Sequence, residues 1–182
     1  MIIRDATPTD LSAITDIYAE SVKNGVATYE LEPPSITEMT ARFGTITGNR
    51  YPFILAEDDG VILGYAYAGP FRTRPAYNWV CEDSIYLAPE ARGKGVGSAL
   101  LAELLVRCEA LGFRQMLAVI GGAHPASVAV HAKAGFEHRG TLKATGYKHG
   151  RWLDTTFMEM ALGDGSASDP DIETYPATLY RT

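Results

Sequence analysis

Residues 84–105 read SIYLAPEARGKGVGSALLAELL, and the predicted fold is arranged around them. An apolar strand that ends near Ala88 passes through a Pro-Glu turn into a glycine-rich loop. A helix follows directly, because leucines recur at positions 100, 101, 104 and 105 with helical spacing. A strand, a glycine-rich loop and a helix in this order are typical of an anion-binding site.

The glycine loop has two physical properties that favour a phosphate ligand. Gly93, Gly95 and Gly97 carry no side chains, so consecutive backbone N–H groups can turn toward one anion. The helix that follows leaves the N–H groups of its first turn unpaired, and its dipole places about half a positive charge there. The loop therefore predicts a pyrophosphate site, although a glycine-rich turn that only connects a strand to a helix has the same composition.

Two widespread phosphate-binding patterns do not describe this loop. The pattern G-x-x-x-x-G-K-[ST] does not occur. The pattern G-x-G-x-x-G fails because Ser98 and Leu100 occupy the third-glycine positions counted from Gly93 and Gly95. The residues present are Arg92-Gly-Lys-Gly-Val-Gly97, so the loop indicates a different class of phosphate-binding protein.

Composition restricts the broad class of protein. The 182 residues suit one domain of the usual ~100–200 residues, and 46% of them are hydrophobic, which is ample for a core. The net charge of −6 and the lack of any Lys/Arg run argue against a nucleic-acid partner. The most apolar run, 99–106, is far shorter than the roughly 20 residues that span a bilayer, and the N-terminus has no signal-peptide pattern. We therefore expect a cytoplasmic protein without a membrane partner.

Spacing elsewhere in the chain predicts alternating helices and strands. Thr7-Pro8 with Asp10, and Ser35 with Glu38, are capping boxes that begin two helices. Strands are expected at 51–57, 61–68, 115–120, 136–144 and 152–162, with a short helix at 125–134. The segment 146–150 is expected to be a loop longer than a tight turn. Residues 1–162 form the predicted domain, and 163–182 a polar C-terminal extension.

An acidic pair, Glu82-Asp83, begins the strand that leads into the glycine loop. Period-two alternation puts the two side chains on opposite faces, so only one is expected to face a given cleft. Glu82 shares its face with Ser84 and Tyr86, and a carboxylate this close to a phosphate loop can take a proton from an amine. A solvated charge at the end of a strand is the alternative interpretation.

Histidine, cysteine and arginine residues add weaker indications. The four histidines have no metal-ligand spacing, and Cys81 and Cys108 fit neither a disulfide framework nor a metal site, so no metal is predicted. His131 could face the cleft or simply pack, and position alone favours packing or the surface. Arg72 and Arg74 lie in an aromatic segment before the central strand, where guanidinium groups suit a substrate carboxylate or phosphinate.

Several motifs together resemble one protein family. The loop R-G-K-G-V-G is similar to the R/Q-x-x-G-x-G/A acetyl-CoA motif of the GCN5-related N-acetyltransferase (GNAT) superfamily. The chain also carries T-Y-E-x-E-P-P, A-Y-N-W-V-C-E-D-S-I-Y-L, S-V-A-V-H-A-K-A-G-F and G-Y-K-H-G-R-W-L-D. From residue 2 to about 162 these segments resemble the phosphinothricin and methionine sulfoximine N-acetyltransferase branch of that superfamily.

The resemblance implies a mixed α/β fold with a mostly antiparallel sheet, flanked by helices, in which two central parallel strands splay apart. It implies that acetyl-CoA lies between those strands and is attacked directly by a small-molecule amine, and that the protein is a homodimer. Glu82 matches the proposed general base, and His131 the position of the general acid. The implied acetyl-CoA contacts are Ile85, Tyr86, Leu87, Arg92, Gly93, Lys94, Gly95, Val96, Gly97, Ser98 and His124. The implied substrate contacts are Arg72, Thr73, Arg74, Glu82, Asp83 and Ser84.

Departures from the family pattern and other functions remain open on sequence alone. Where the family commonly has an asparagine that touches CoA, this chain has His124 followed by Pro125. A non-catalytic acyl-CoA-binding module would need the glycine loop but would have no use for Glu82 in the cleft. A polyamine or a protein N-terminus is the alternative acceptor within the enzyme class.

Overall fold

The computed structural model describes residues 1–177, in which a seven-stranded sheet is flanked by four α-helices. The strand order is β1-β2-β3-β4-β5-β7-β6, and the only parallel neighbours among the described strands are β4 and β5. The elements are β1 Ile2–Asp5, α1 Leu11–Asn24, α2 Ile36–Gly48, β2 Phe53–Asp58, β3 Val61–Pro70, β4 Val80–Leu87, α3 Val96–Ala110, β5 Gln115–Gly121, α4 Pro125–Ala134, β6 Glu137–Lys148 and β7 Arg151–Ala161. This confirms the predicted mixed, mostly antiparallel fold.

Local sequence signals place the helices where they were predicted. The backbone N–H of Thr7 donates to Asp10 Oδ2 at 2.7 Å, and that of Ser35 donates to Glu38 Oε2 at 2.7 Å, so both capping boxes form. The first box begins a single 3-10 turn, Pro8–Asp10, before α1 starts. The apolar face of α1 is buried against the sheet, as its spacing predicted.

The parallel pair separates soon after it begins. β4 and β5 are hydrogen-bonded only from Val80–Gln115 to Glu82–Leu117. β4 continues to Leu87, and its other edge stays paired with β3 as far as that residue. β5 continues to Gly121, paired with β7 on its other edge. The inner edges of the two central strands therefore face each other across a gap in the sheet.

The connection between β6 and β7 corrects the expected long loop at 146–150. The strands stay paired to Lys148 and Arg151, and only His149 and Gly150 form the turn. Both have positive φ, 51° and 73°, which matches the right-handed twist of a two-residue hairpin. Register shifts at 138–140 and 142–146 interrupt the alternation of β6, which explains why the sequence pattern ended the strand too early.

The chain after β7 packs against the residues that precede β4 and β5. Arg114 Nη2 donates to Ser168 Oγ at 2.8 Å, and the rings of Trp79 and Tyr175 lie 5.4 Å apart. The last five residues of the expected extension, 178–182, lie outside the described residues, and a domain boundary near 162 stays a prediction. In the described part of the chain, none of the helices has the length and apolar character needed to cross a bilayer.

Candidate active site

A cavity of about 770 Å³ occupies the gap between β4 and β5. Its walls come from the two strands, the glycine loop, the first turns of α3 and α4, and the α1–α2 loop. Thirteen of the residues predicted for the site line it: Glu82, Asp83, Ser84, Ile85, Tyr86, Leu87, Arg92, Gly93, Gly95, Gly97, Ser98, His124 and His131. Residues far apart in sequence thus meet in one place.

Glu82 and Asp83 both contribute to the lining of the cavity. Their side chains point to opposite faces of β4, as strand geometry requires. The Asp83 carboxylate is 3% exposed and is bonded to His131, whereas Glu82 is only partly buried. That Glu82 is the acid that faces the acceptor stays a prediction.

The glycine loop forms an open cradle in front of α3. Gly93 and Gly95 have φ of 72° and 83°, values that side-chain-bearing residues rarely adopt, and a Cβ at either would meet no atom within 4 Å. The first intrahelical donor is the N–H of Ala99, which bonds to Gly95 O at 3.1 Å. The preceding N–H groups, at Val96, Gly97 and Ser98, have no partner within the helix. This geometry suits a phosphate group.

The predicted phosphate-loop residues do not all face the cavity. Arg92 lines it while forming an ion pair with Glu20 of α1. Lys94 is exposed and outside the lining, and Val96 is buried as part of the α3 core contact. The glycine backbone therefore forms the cradle, and the Lys94 side chain adds positive charge only from outside.

The unpaired edge of β4 suits an extended, amide-bearing ligand. Residues 83–87 are bonded to β3 on one side but have no strand partner on the side of β5. Backbone N–H and C=O groups along such an edge pair readily with another extended chain. A ligand with a pyrophosphate at one end and amides along an arm, as in acetyl-CoA, fits the cradle and this edge together.

Glu82 has the chemical properties of a base that works near neutral pH. Its pKa is raised to about 7: burial contributes most, the neighbouring charge of Asp83 adds to the shift, and Arg72 partly opposes it. No hydrogen bond within the described residues fixes its carboxylate, which lines the cavity. A carboxyl with this pKa can accept a proton from a bound amine and release it to solvent.

His131 and Asp83 form a buried pair on the opposite face of the cavity. His131 Nε2 lies 3.0 Å from Asp83 Oδ2, and the side chains are 5% and 3% exposed. His131 Nδ1 lies 2.8 Å from the carbonyl of Ser127, one turn earlier in α4. Burial lowers the pKa of His131, but the hydrogen bond and charge of Asp83 raise it by more, so the net shift is upward. His131 is thus neither a surface residue nor apolar packing alone.

The α1–α2 loop supplies a wall that sequence reasoning did not assign. Residues 25–29 line the cavity, and the hydroxyl of Tyr29 accepts from the N–H of Gly122 at 3.1 Å. A Cβ on Gly121 would lie 2.5 Å from the carbonyl of Val26, so the loop packs directly on the end of β5. The signal in the sequence was the Gly121-Gly122 dipeptide, which permits this close approach.

The predicted substrate arginines lie beside the cavity. Arg72, Thr73 and Arg74 are exposed and are not among its lining residues. The Arg72 guanidinium lies 5.0 Å from the centre of the Phe71 ring, and its charge opposes the raised pKa of Glu82. Arg72 therefore stands on the Glu82 side of the site.

The fold and the cavity together define a class of protein. The site combines three features: separated central parallel strands, a glycine cradle at a helix N-terminus and a titratable carboxyl. Together they can hold a phosphate-bearing donor against a nucleophile. This arrangement suits group transfer from a nucleotide-type carrier.

Comparison with known proteins specifies the class. Residues 3–157 match the Acetyltransferase (GNAT) domain family. The chain is 45% identical to the phosphinothricin N-acetyltransferase of Alcaligenes faecalis, over 93% of this chain and 85% of that protein. It is 38% identical to the L-methionine sulfoximine/L-methionine sulfone acetyltransferase of Pseudomonas aeruginosa, over 92% and 98% of the two chains. A crystal structure of a phosphinothricin acetyltransferase from Sinorhizobium meliloti in complex with AcCoA superposes with a TM-score of 0.97 at 63% identity, covering 100% of this chain and 98% of that one.

The chain belongs to the GNAT acetyltransferase family and is an acetyl-CoA-dependent N-acetyltransferase.

Proposed function

We propose that the protein acetylates the α-amine of a small amino-acid-like substrate of the phosphinothricin or methionine sulfoximine type. The relatives that support this acceptor class cover nearly the whole chain. The observation that carries the proposal is the carboxyl of Glu82, which lines the cavity with a pKa of about 7. Acetyl-CoA supplies the activated acetyl thioester, and the residues of this chain bind it, orient it and move protons.

The binding role falls to backbone groups. The N–H groups of the Gly93–Ser98 loop hold the pyrophosphate, and the free edge of β4 from Ile85 to Leu87 holds the extended arm and orients the thioester carbonyl. His124, at the start of α4, lines the cavity where the family commonly has asparagine, and its imidazole can donate a hydrogen bond to the same ligand.

The chemical role falls to side chains. An α-ammonium titrates near 7.7–8.0 in model peptides, and it has no lone pair until it loses a proton. Glu82, ionised above about pH 7, accepts that proton directly or through water. His131 lies on the other side of the cavity, where its charge would favour a departing thiolate. Both of its ring nitrogens are engaged, by Asp83 and by the Ser127 carbonyl, so direct donation of a proton would require the Asp83 contact to break. Arg72, Thr73 and Arg74, with Ser84, stand on the side from which an amino-acid carboxylate would approach Glu82.

The alternative acceptor is a protein N-terminus. A crystal structure of a ribosomal-protein-alanine N-acetyltransferase from Brucella melitensis superposes with a TM-score of 0.87 at 37% identity, over 89% of this chain and 100% of that one. Residues 25–29 wall one side of the cavity, which favours a small acceptor over an extended peptide.

A thiol-release assay with acetyl-CoA tests the proposal. The amine panel contains methionine sulfoximine, phosphinothricin, ordinary amino acids, spermidine and a peptide that begins with alanine. We expect the amino-acid analogues to give the highest kcat/KM, and Glu82→Gln to lower it by roughly 10²–10⁴-fold. Highest activity on the peptide or on spermidine would contradict the acceptor class, and full turnover in Glu82→Gln would contradict the role of Glu82.

We also propose that the protein is a cytoplasmic homodimer. The tip of the β6–β7 hairpin carries Tyr147 and Trp152, which are 58% and 67% exposed and pack ring to ring at 5.2 Å. Exposed aromatic residues are enriched at interfaces, which supports a partner surface there. Cys81 and Cys108 are free thiols, in agreement with a reducing compartment. Sedimentation at micromolar concentration should give a dimer, and Trp152→Ala should shift it toward the monomer; a wild-type monomer would contradict the proposal.

A further inference from the structure

Asp83 is a buried carboxylate with one unsatisfied oxygen. Its Oδ2 is bonded to His131, whereas Oδ1 is inaccessible and has no hydrogen-bond partner among the described residues. A buried carboxylate is destabilising unless it is paired and its remaining lone pairs are hydrogen-bonded. The general-base role needs Glu82 alone, so the second, buried acid beside it needs a physical explanation.

The hydrogen bonds of His131 determine where its protons are. The carbonyl of Ser127 can only accept, so Nδ1, at 2.8 Å from it, carries a hydrogen and donates. An ionised Asp83 can likewise only accept, so Nε2 must also carry a hydrogen when the pair is an ion pair. Both ring nitrogens are therefore engaged, and neither is free to face the cavity.

The same carboxylate also acts on Glu82. The two residues are adjacent in β4, and Glu82 has to ionise next to the charge on Asp83. The other charged or titratable groups that face Glu82 are Arg72, from the segment after β3, and Tyr67 of β3. In the described part of the chain, Asp83 is the charged group that raises the pKa of His131. Asp83 therefore contacts His131 directly and is the neighbour of Glu82 in β4.

We infer that Asp83 is a positioning residue for both Glu82 and His131: the buried pair holds the ring of His131 in one orientation, and the adjacent carboxylate is the charge that Glu82 meets when it ionises. This inference rests on the proposed roles of Glu82 and His131. Asp83 acts on the reaction only through these two residues and needs no contact of its own with the acceptor.

Two variants at the pair have opposite consequences for Glu82. Asp83→Asn removes the charge and keeps the shape, and the new amide can donate to Nε2, which holds His131 neutral. Glu82 then ionises more easily. His131→Gln leaves the Asp83 charge in place and removes its compensating cation, so Glu82 ionises no more easily than before. A purely structural role for Asp83 predicts no such divergence.

The test is an NMR titration of the ligand-free protein. The carboxyl ¹³C signal of Glu82 and the ring ¹⁵N signals of His131 are assigned by their loss in Glu82→Gln and His131→Gln. In Asp83→Asn we expect the Glu82 midpoint to fall by about one pH unit, and His131 to show neutral-ring shifts down to lower pH than in the wild type. In His131→Gln the Glu82 midpoint should stay or rise. Asp154→Asn, which removes a carboxylate from β7, should leave it unchanged.

The outcomes separate this inference from the proposed function. A wild-type Glu82 midpoint in Asp83→Asn overturns the inference, as does an equal downward shift in Asp154→Asn. If Asp83→Asn does not fold, the His131→Gln arm decides, because a downward Glu82 shift there also overturns it. These midpoints do not depend on turnover, so they hold even if the acceptor assignment fails.

Activity provides the second readout. The acid limb of the kcat/KM profile should move to lower pH in Asp83→Asn and should not do so in His131→Gln. Both variants should lower kcat more than they raise KM, because the pair acts on proton transfer rather than on binding. A change in KM alone would make Asp83 a substrate contact and would overturn the inference.

Discussion

The hydroxyl of Tyr29 donates to the backbone carbonyl of Asp154 at 2.9 Å, which fixes the α1–α2 loop to β7 across the mouth of the cavity. The same oxygen lies 2.7 Å from Thr155 Oγ1 and accepts from the N–H of Gly122. Nearby, Lys148 Nζ donates to the carbonyl of Thr28 at 2.9 Å. One wall of the cavity is therefore held by a few long-range contacts to β5 and the β6–β7 hairpin.

Tyr29→Phe should destabilise the protein by about 1–3 kcal/mol, because it leaves the Gly122 N–H and the Asp154 carbonyl without their partner. Denaturant unfolding measures the change. Tyr77→Phe is the matched control, since that residue is 40% exposed, and it should stay within about 0.5 kcal/mol of the wild type. Equal effects of the two variants would show that the Tyr29 hydroxyl does not hold the loop.

Gly146→Ala should displace the same loop by a steric route. A Cβ at this position would lie 2.7–2.9 Å from three ring atoms of Tyr29, closer than side chains pack. We expect weaker acetyl-CoA affinity and a lower free energy of unfolding. Gly44→Ala in α2 is the control: its Cβ meets nothing within 4 Å, and alanine in a helix is favoured over glycine by roughly 0.5–1 kcal/mol. A Gly146→Ala protein as stable as Gly44→Ala would refute the contact.

Short-range signals in the sequence were sufficient for most of the helices and strands and for the glycine loop in front of α3. Capping boxes, helical spacing and the glycine loop each depend on residues within one turn of each other. The contact between Asp83 and His131 spans 48 residues, and the one between Tyr29 and Asp154 spans 125, so no local pattern could reveal them. The gap between β4 and β5 depends on where their pairing stops, which is a property of the assembled sheet.

Gly97→Val should weaken acetyl-CoA binding strongly. Gly97 lies in the first turn of α3, its N–H has no intrahelical partner, and it lines the cavity. A Cβ there would already touch Leu87 Cδ1 at 3.4 Å, so the two extra methyl groups of valine must turn toward the phosphate cradle. Calorimetry with acetyl-CoA measures the loss, and Ala99→Val, two residues further along the helix, controls for β-branching. Unchanged affinity in a folded Gly97→Val protein would remove the glycine loop from the binding site.

Glu82→Gln should raise the free energy of unfolding while it lowers activity. The gain in stability should depend on pH. The folded-state pKa of Glu82, about 7, lies above its ordinary value of 4.5, so the fold favours the protonated carboxyl. That contribution is fully present below pH 4.5 and is lost as the pH rises through 7. Glutamine is never ionised, so it avoids the loss. The stability difference between the variant and the wild type should therefore grow by about 1–3 kcal/mol from pH 4.5 to pH 8.

Thermal or denaturant unfolding at pH 4.5, 6 and 8 measures this difference, and Glu90→Gln, at an exposed glutamate, should show no such trend. A pH-independent difference for Glu82→Gln would mean that Glu82 ionises as easily in the folded protein as in the unfolded chain. In that case burial could not be what prepares Glu82 to accept a proton near neutral pH.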